Sequence, residues 1–224
     1  MSEEKPGEMV VAGSDLPQDK ALALINEMSK GNYVPRIDLV QANSAARTGG
    51  IANDGEYVFN GTQKLGKSFV AIVVDWRPHA IMFDDNQNLV AESFDPASET
   101  FKSIKAKEQG PKTKNERPGS GAQFLVWLPD IQCYGILPLM KTARRHIQPL
   151  YTLYMNKKPA SVSSSPVSAG GNTWQSPVIQ EFTGTIDPMR RPSDELTAEA
   201  TRMFKLITTA SEPKEAAPGD GRPR

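Results

Sequence analysis

Five aromatic residues, Tyr57, Phe59, Trp76, Trp127 and Tyr134, fall on stretches that read as β-strands. Seven cations, Lys64, Lys67, Arg77, Lys102, Lys105, Arg144 and Arg145, stand near strand ends or in the segments between them. Rings on a strand face can stack on unpaired bases while neighbouring lysines and arginines neutralise phosphates, which is the chemistry of single-stranded nucleic-acid binding. Each ring taken alone fits a hydrophobic core better than a stacking platform. Trp76 alternates with Val70, Ile72 and Val74 and belongs with them in the core unless a bulge at Pro78 rotates it outward.

A second chemistry competes with the first. Asp75, Asp84, Asp85, Glu92 and Asp95 gather around one expected hairpin, and oxygen ligands in that number suit Mg²⁺ and phosphodiester cleavage. Turn formation and exposed strand faces account for the same residues, and no lysine follows them at a nuclease-like spacing. The sequence has no phosphate-cradling Gly-x-x-x-x-Gly-Lys-Ser/Thr loop, no Gly-x-Gly-x-x-Gly turn and no Gly-x-Ser-x-Gly elbow. His79, His146 and the single Cys133 lack the paired spacing of a zinc site or a Cys/His nucleophile. His79 reads as a surface residue at a strand end and Cys133 as a small buried hydrophobe. The expectation is a non-enzymatic protein without cofactor or metal, with a metal-dependent nuclease as one alternative.

Over 224 residues, 26 Lys+Arg balance 26 Asp+Glu, so net charge alone does not point to a polyanion. The distribution is uneven: residues 1–95 carry eight basic against fourteen acidic side chains, and residues 96–160 carry eleven against four. That +7 middle section is a candidate phosphate-binding patch, the simpler alternative being a solvated loop and helix face. Residues 1–14 and 211–224 hold few large apolar side chains and read as flexible tails around one domain over 15–210. No apolar run approaches the roughly 18 residues that span a bilayer, and the N-terminus lacks a signal-peptide pattern. A soluble, cytoplasmic protein without membrane contact is expected.

The elements that position these residues centre on Lys67–Phe83, a long strand rich in β-branched and aromatic side chains. Its Val70, Ile72, Val74 and Trp76 are expected to face the core, with usable surface from Asp75 to His79 and a kink at Pro78. Before it the pattern predicts a capped helix over 16–30, a strand from Tyr33 to Val40, a loop over 44–55 and a short strand from Glu56 to Asn60. After it come a hairpin partner over Leu89–Phe94 and a long lysine-bearing loop over 95–121. A hairpin of Gln123–Leu128 with Gln132–Leu137 is followed by a short helix from Met140 to Gln148 that Pro149 stops or kinks. Ser161–Gly171 reads as a flexible loop and Trp174–Phe182 as the last strand. Ser193 caps a final helix with Leu196, Ala200, Met203, Phe204 and Ile207 on its apolar face. The fold class is α+β: an antiparallel small barrel, of the oligonucleotide-binding (OB) type, with terminal helices.

The order Pro35-Arg-Ile-Asp-Leu-Val-Gln41, Gly55-Glu-Tyr-Val-Phe59 and Leu65-Gly66 into a long apolar strand ending Trp76-Arg77 resembles phage-encoded single-stranded-DNA-binding-like proteins with an OB-type core. Ala91–Asp95, Phe124–Trp127 and Asn172–Val178 fall where that group has its next strands, so the resemblance covers roughly 33–208. It implies a sequence-tolerant single-stranded DNA-binding protein of replication or recombination, with proteins of those processes as further partners. Relatives often carry several cysteines where this chain has lysines, so a metal knuckle is not implied. Nor is an acidic recruiting tail, since Pro213–Arg224 is mixed in charge. A virion or polymerase-associated interaction protein on the same barrel is the remaining alternative.

Overall fold

The computed structural model describes residues 35–111 and 115–210, with side chains through Leu206. The expected helix over 16–30, both tails, Lys112 and Lys114 lie outside the described residues. The chain is α+β and mostly antiparallel, with nine strands and few helices among the described residues.

The long apolar stretch forms β4 (Ser68–Asp84), and the molecule is arranged around it. Its first residues pair with β8 (Ala160–Ala169), and Ile72 to Asp84 pair with β6 (Glu116–Leu128). Its end also pairs with β5 (Leu89–Ser93), giving a six-stranded sheet ordered β7-β6-β4-β8-β9, with β7 at Cys133–Met140 and β9 at Asn172–Glu181. A separate three-stranded sheet, β1 (Ile37–Leu39), β2 (Tyr57–Phe59) and β3 (Gln63–Gly66), lies against it. The two sheets meet at one parallel bridge, Arg36 with Ile136, where the Ile136 N–H donates to the Pro35 carbonyl at 2.7 Å. They share one core but do not close into a barrel.

The faces of β4 differ from the sequence expectation. Phe69, Ala71 and Val73 enter the main core, while Ile72 and Val74 are half-buried against a second cluster on the opposite face. A bulge between Val73 and Asp75 then places Trp76 against the main core. Both faces of a central strand are covered here, so alternation of apolar residues could not tell one from the other. Pro78 neither kinks the strand nor breaks its register: it pairs with Ala122, in a stretch whose one strand neighbour among the described residues is β6. A missing N–H is tolerable at such a one-sided position.

Three further expectations are corrected. The segment 95–121 is not a loop: Ser98 accepts from the Phe101 N–H at 3.2 Å and caps α2 (Glu99–Gln109), whose Phe101 and Ile104 cover Ala80 and Met82, and β6 begins at Glu116. The short preceding helix α1 spans Ala45–Thr48. Serine-rich 161–171 is not a loop either, because β8 and β9 form a ten-pair ladder closed by Gly170 and Gly171. Their φ values of 57° and 79° suit a two-residue hairpin turn of the primed type. Pro149 does not stop a helix: a 3₁₀ turn over Lys141–His146 leads into α3 (Ile147–Met155), where Pro149 sits in the first turn and needs no hydrogen-bonding N–H.

The final helix, α4 (Asp194–Ala210), forms where expected; the Ile207 side chain lies outside those described. The Leu196 N–H donates to Ser193 Oγ at 3.2 Å, and Leu196, Ala200, Met203 and Phe204 bury themselves on Leu125, Trp127, Tyr134 and Ile136. No helix among the described residues is long and apolar enough to cross a membrane.

Candidate nucleic-acid interface

Four of the five proposed stacking rings are core residues. Tyr57, Phe59, Trp127 and Tyr134 are 6% exposed or less, because strands β2, β6 and β7 turn them inward. The Tyr57 hydroxyl donates to the Ser163 carbonyl at 2.8 Å and its ring meets Phe69 edge-on at 5.0 Å. Trp127 Nε1–H donates to the Arg190 carbonyl at 2.7 Å, Arg190 lying in a 3₁₀ turn over Pro188–Arg190. The Tyr134 hydroxyl pairs with Thr197 Oγ1 at 3.0 Å, tying the sheet to α4. Burial pushes the Tyr57 phenol far above its ordinary value and the Tyr134 phenol up to about 12, the Thr197 hydrogen bond opposing the latter shift. None of these rings can meet a base in the folded protein.

Trp76 is half-buried, stacked on Phe124 with centroids 6.3 Å apart and edge-on to Tyr151 at 5.2 Å. Tyr151 in turn lies 6.2 Å from Tyr154. This half-exposed cluster of three rings includes two that sequence reasoning missed. Their signal was spacing by three on one helix turn, hidden by the expectation that Pro149 ends the helix.

Arg77 is also misplaced by the sequence reading. It is buried, its guanidinium lying between the rings of Phe94 (3.9 Å) and Phe204 (4.2 Å), and it donates to the Phe204 carbonyl at 2.5 Å. It also donates twice to Gln123 Oε1, at 3.0 and 2.7 Å. Desolvation lowers its pKa to about 10, against the raising influence of Glu92 and Asp75. Because Arg77 fixes the Gln123 oxygen, the Gln123 amide nitrogen must face His79 Nδ1, 3.3 Å away. His79 Nδ1 is then the acceptor and Nε2–H the donor to Glu92 Oε1 at 2.7 Å. His79 is therefore a buried member of a chain that docks α4, not a surface residue.

The remaining acids serve local structure. Asp84 accepts from the Asn88 backbone and side chain, Asp95 from the Ala97 N–H, Asp75 from the Trp76 N–H, and Asp85 faces Arg117 at 3.9 Å. Among the described residues no three His, Cys, Asp or Glu side chains stand together as metal ligands. Cys133 is half-buried at the edge of the main core.

The other cations are exposed. Lys64 pairs with Glu56 at 2.8 Å, a hydrogen bond that holds the Glu56 carboxyl below its ordinary range, and Lys67 is exposed at the start of β4. Lys102 and Lys105 stand on the outer face of α2, Lys102 paired with Glu99 at 2.8 Å. Arg144 reaches Glu108 Oε2 and Ser120 Oγ, each at 3.0 Å, clamping α2 to the 3₁₀ turn. Arg145 donates to Ser176 Oγ at 3.1 Å. The clamp makes one basic ridge of α2 and the turn. Lys102, Lys105, Lys107, Lys141, Arg144 and Arg145 oppose Glu99, Glu108 and Glu116 there, a net +3. Lys105, Lys141 and Arg145 have no carboxylate partner among the described residues. Burial, and then the neighbouring Arg145, holds His146 at the end of the turn below its ordinary pKa. Comparison with family models, with curated proteins and with solved structures returned no match to this chain.

Proposed function

We propose that the protein binds single-stranded DNA with little regard to sequence, in phage-type replication or recombination, on an open OB-like sheet. The observation that carries this reading is the ridge joined by the Arg144–Glu108 pair, where Lys105, Lys141 and Arg145 are left to meet phosphates. The turn runs directly into α3, so Tyr151, with Tyr154 and Trp76 beside it, follows the ridge in the chain and supplies ring surface in place of the buried aromatics. The sharing of β4 between β8 and β6, with a bulge between Val73 and Asp75, supports the OB-like reading. Replication or recombination proteins are the further partners proposed, in the cytoplasm of the host cell. The test is anisotropy titration of labelled single and double strands by wild type and by Lys105→Gln/Lys141→Gln/Arg145→Gln. The interaction-protein alternative retains one supporting observation: Leu89 and Val90 are about half exposed on the short strand β5. Failure of the wild type to bind any strand at low salt favours that alternative.

A further inference from the structure

The incomplete closure of the sheet leaves a cleft. Among the described residues the backbone pairing between the two sheets is the single Arg36–Ile136 bridge, beside which the Ile37 side chain packs over Gly135, and no ladder continues past it. The wedge between them, bounded on its far side by β9 and the 3₁₀ turn, encloses about 300 Å³. That volume is at the small end of ligand pockets, room for one ring system. Leu39, Met140 and Ala143 give it half-buried apolar walls, and exposed Lys141 and Thr142 stand at its rim. Lys141 has φ 49°, a left-handed conformation uncommon for a residue with a side chain.

We propose that this seam receives one unstacked base of the bound strand. The inference rests on the single-strand reading and deepens it. Lys141 belongs both to the rim and to the ridge, so a backbone following the ridge passes the mouth of the cleft with a cation beside its phosphate. The amide groups within reach are already committed: Gln41 donates to the Gln175 carbonyl and accepts from its N–H, both at 2.8 Å, and Gln175 Nε2 faces Asp54 at 3.3 Å. Arg36 and Asp38 also line the cleft but pair with each other at 3.3 Å. With those groups and the amides occupied, the cleft takes a base mainly by its faces and volume. That matches a sequence-tolerant binder.

The experiment compares a labelled oligothymidylate with an abasic strand of the same length, which keeps every phosphate and lacks every base. Wild type, Ala143→Trp and Thr142→Trp are titrated with both. Ala143→Trp fills the cleft from its wall and Thr142→Trp closes it from an exposed rim position, so the second variant serves if the first unfolds. Expected is roughly tenfold tighter binding of oligothymidylate than of the abasic strand by wild type. Each variant is expected to lose most of that preference while binding the abasic strand as wild type does. Unchanged oligothymidylate affinity in a folded variant overturns the seam site and leaves the single-strand reading standing. Absence of binding to either strand by wild type overturns both.

Discussion

At the scale of single residues, the buried aromatics are structural. Trp127 fills a cluster with Tyr134 and α4, so Trp127→Ala should cost about 3–5 kcal/mol, the range for large aromatic truncations in a core. Half-buried Trp76→Ala should cost less and weaken single-strand binding more than Trp127→Ala does among folded variants. Thermal melting alongside each titration checks both halves of the expectation. A Trp127→Ala protein that melts like wild type would remove that cluster from the core. Tyr57 and Tyr134 make a second prediction. Their phenols are neutral below pH 10 whether the chain is folded or not, so their contribution is full there. Between pH 10 and about 12 an unfolded chain ionises Tyr134 while the folded one does not, so stability falls as pH rises through that window. Denaturant unfolding at pH 9, 10.5 and 11.5 should show midpoints dropping in that order, and a flat series contradicts the burial.

At the scale of elements, the two glycines of β6 separate a structural need from mere tolerance. A side chain on Gly121 would set its Cβ 2.1 Å from the Leu139 carbonyl oxygen, whereas at Gly119 the nearest atom, 3.0 Å away, belongs to the flexible Lys141 side chain. Gly121→Ala should therefore prevent or severely weaken folding, and Gly119→Ala should lower the melting temperature little. Equal melting temperatures for the two would contradict the tight β6–β7 approach. Much of the fold was legible in the sequence: the long apolar strand, both hairpins beside it and the capped final helix all come from periodicity and capping residues. What was hidden has physical reasons. In α2 only Phe101 and Ile104 face inward among lysines and glutamates, too few to show a period. The serines of β8 pair through their backbones, to which side-chain composition is nearly blind. The bulge at Val73–Asp75 shifts the phase of β4 with no Gly or Pro at the site to announce it.

At the scale of the whole molecule, charge is distributed less generously than the +7 of residues 96–160 implies. Within the ridge, Glu99, Glu108 and Glu116 are paired with Lys102, Arg144 and Lys107, which consumes three cations, and the exposed Lys102–Glu99 pair contributes little stability. The site was legible in the sequence as a basic section and not as a surface, because the Arg144–Glu108 clamp joins residues 36 positions apart. Lys102, Lys105, Arg144 and Arg145 lie on the ridge and Arg77 does not, and the half-exposed rings are Trp76, Tyr151 and Tyr154 rather than the four buried aromatics of β2, β6 and β7.

Salt dependence separates a track of phosphate-binding cations from a surface that is merely basic. Three uncompensated cations should neutralise about three phosphates, so log K against log salt should fall with a slope of about −2 at roughly −0.7 per phosphate. Duplex of equal length should bind more weakly, and Lys105→Gln/Lys141→Gln/Arg145→Gln should bring the slope close to zero. A well-folded wild type that binds no single strand at low salt, or a slope that the triple substitution leaves unchanged, contradicts the account.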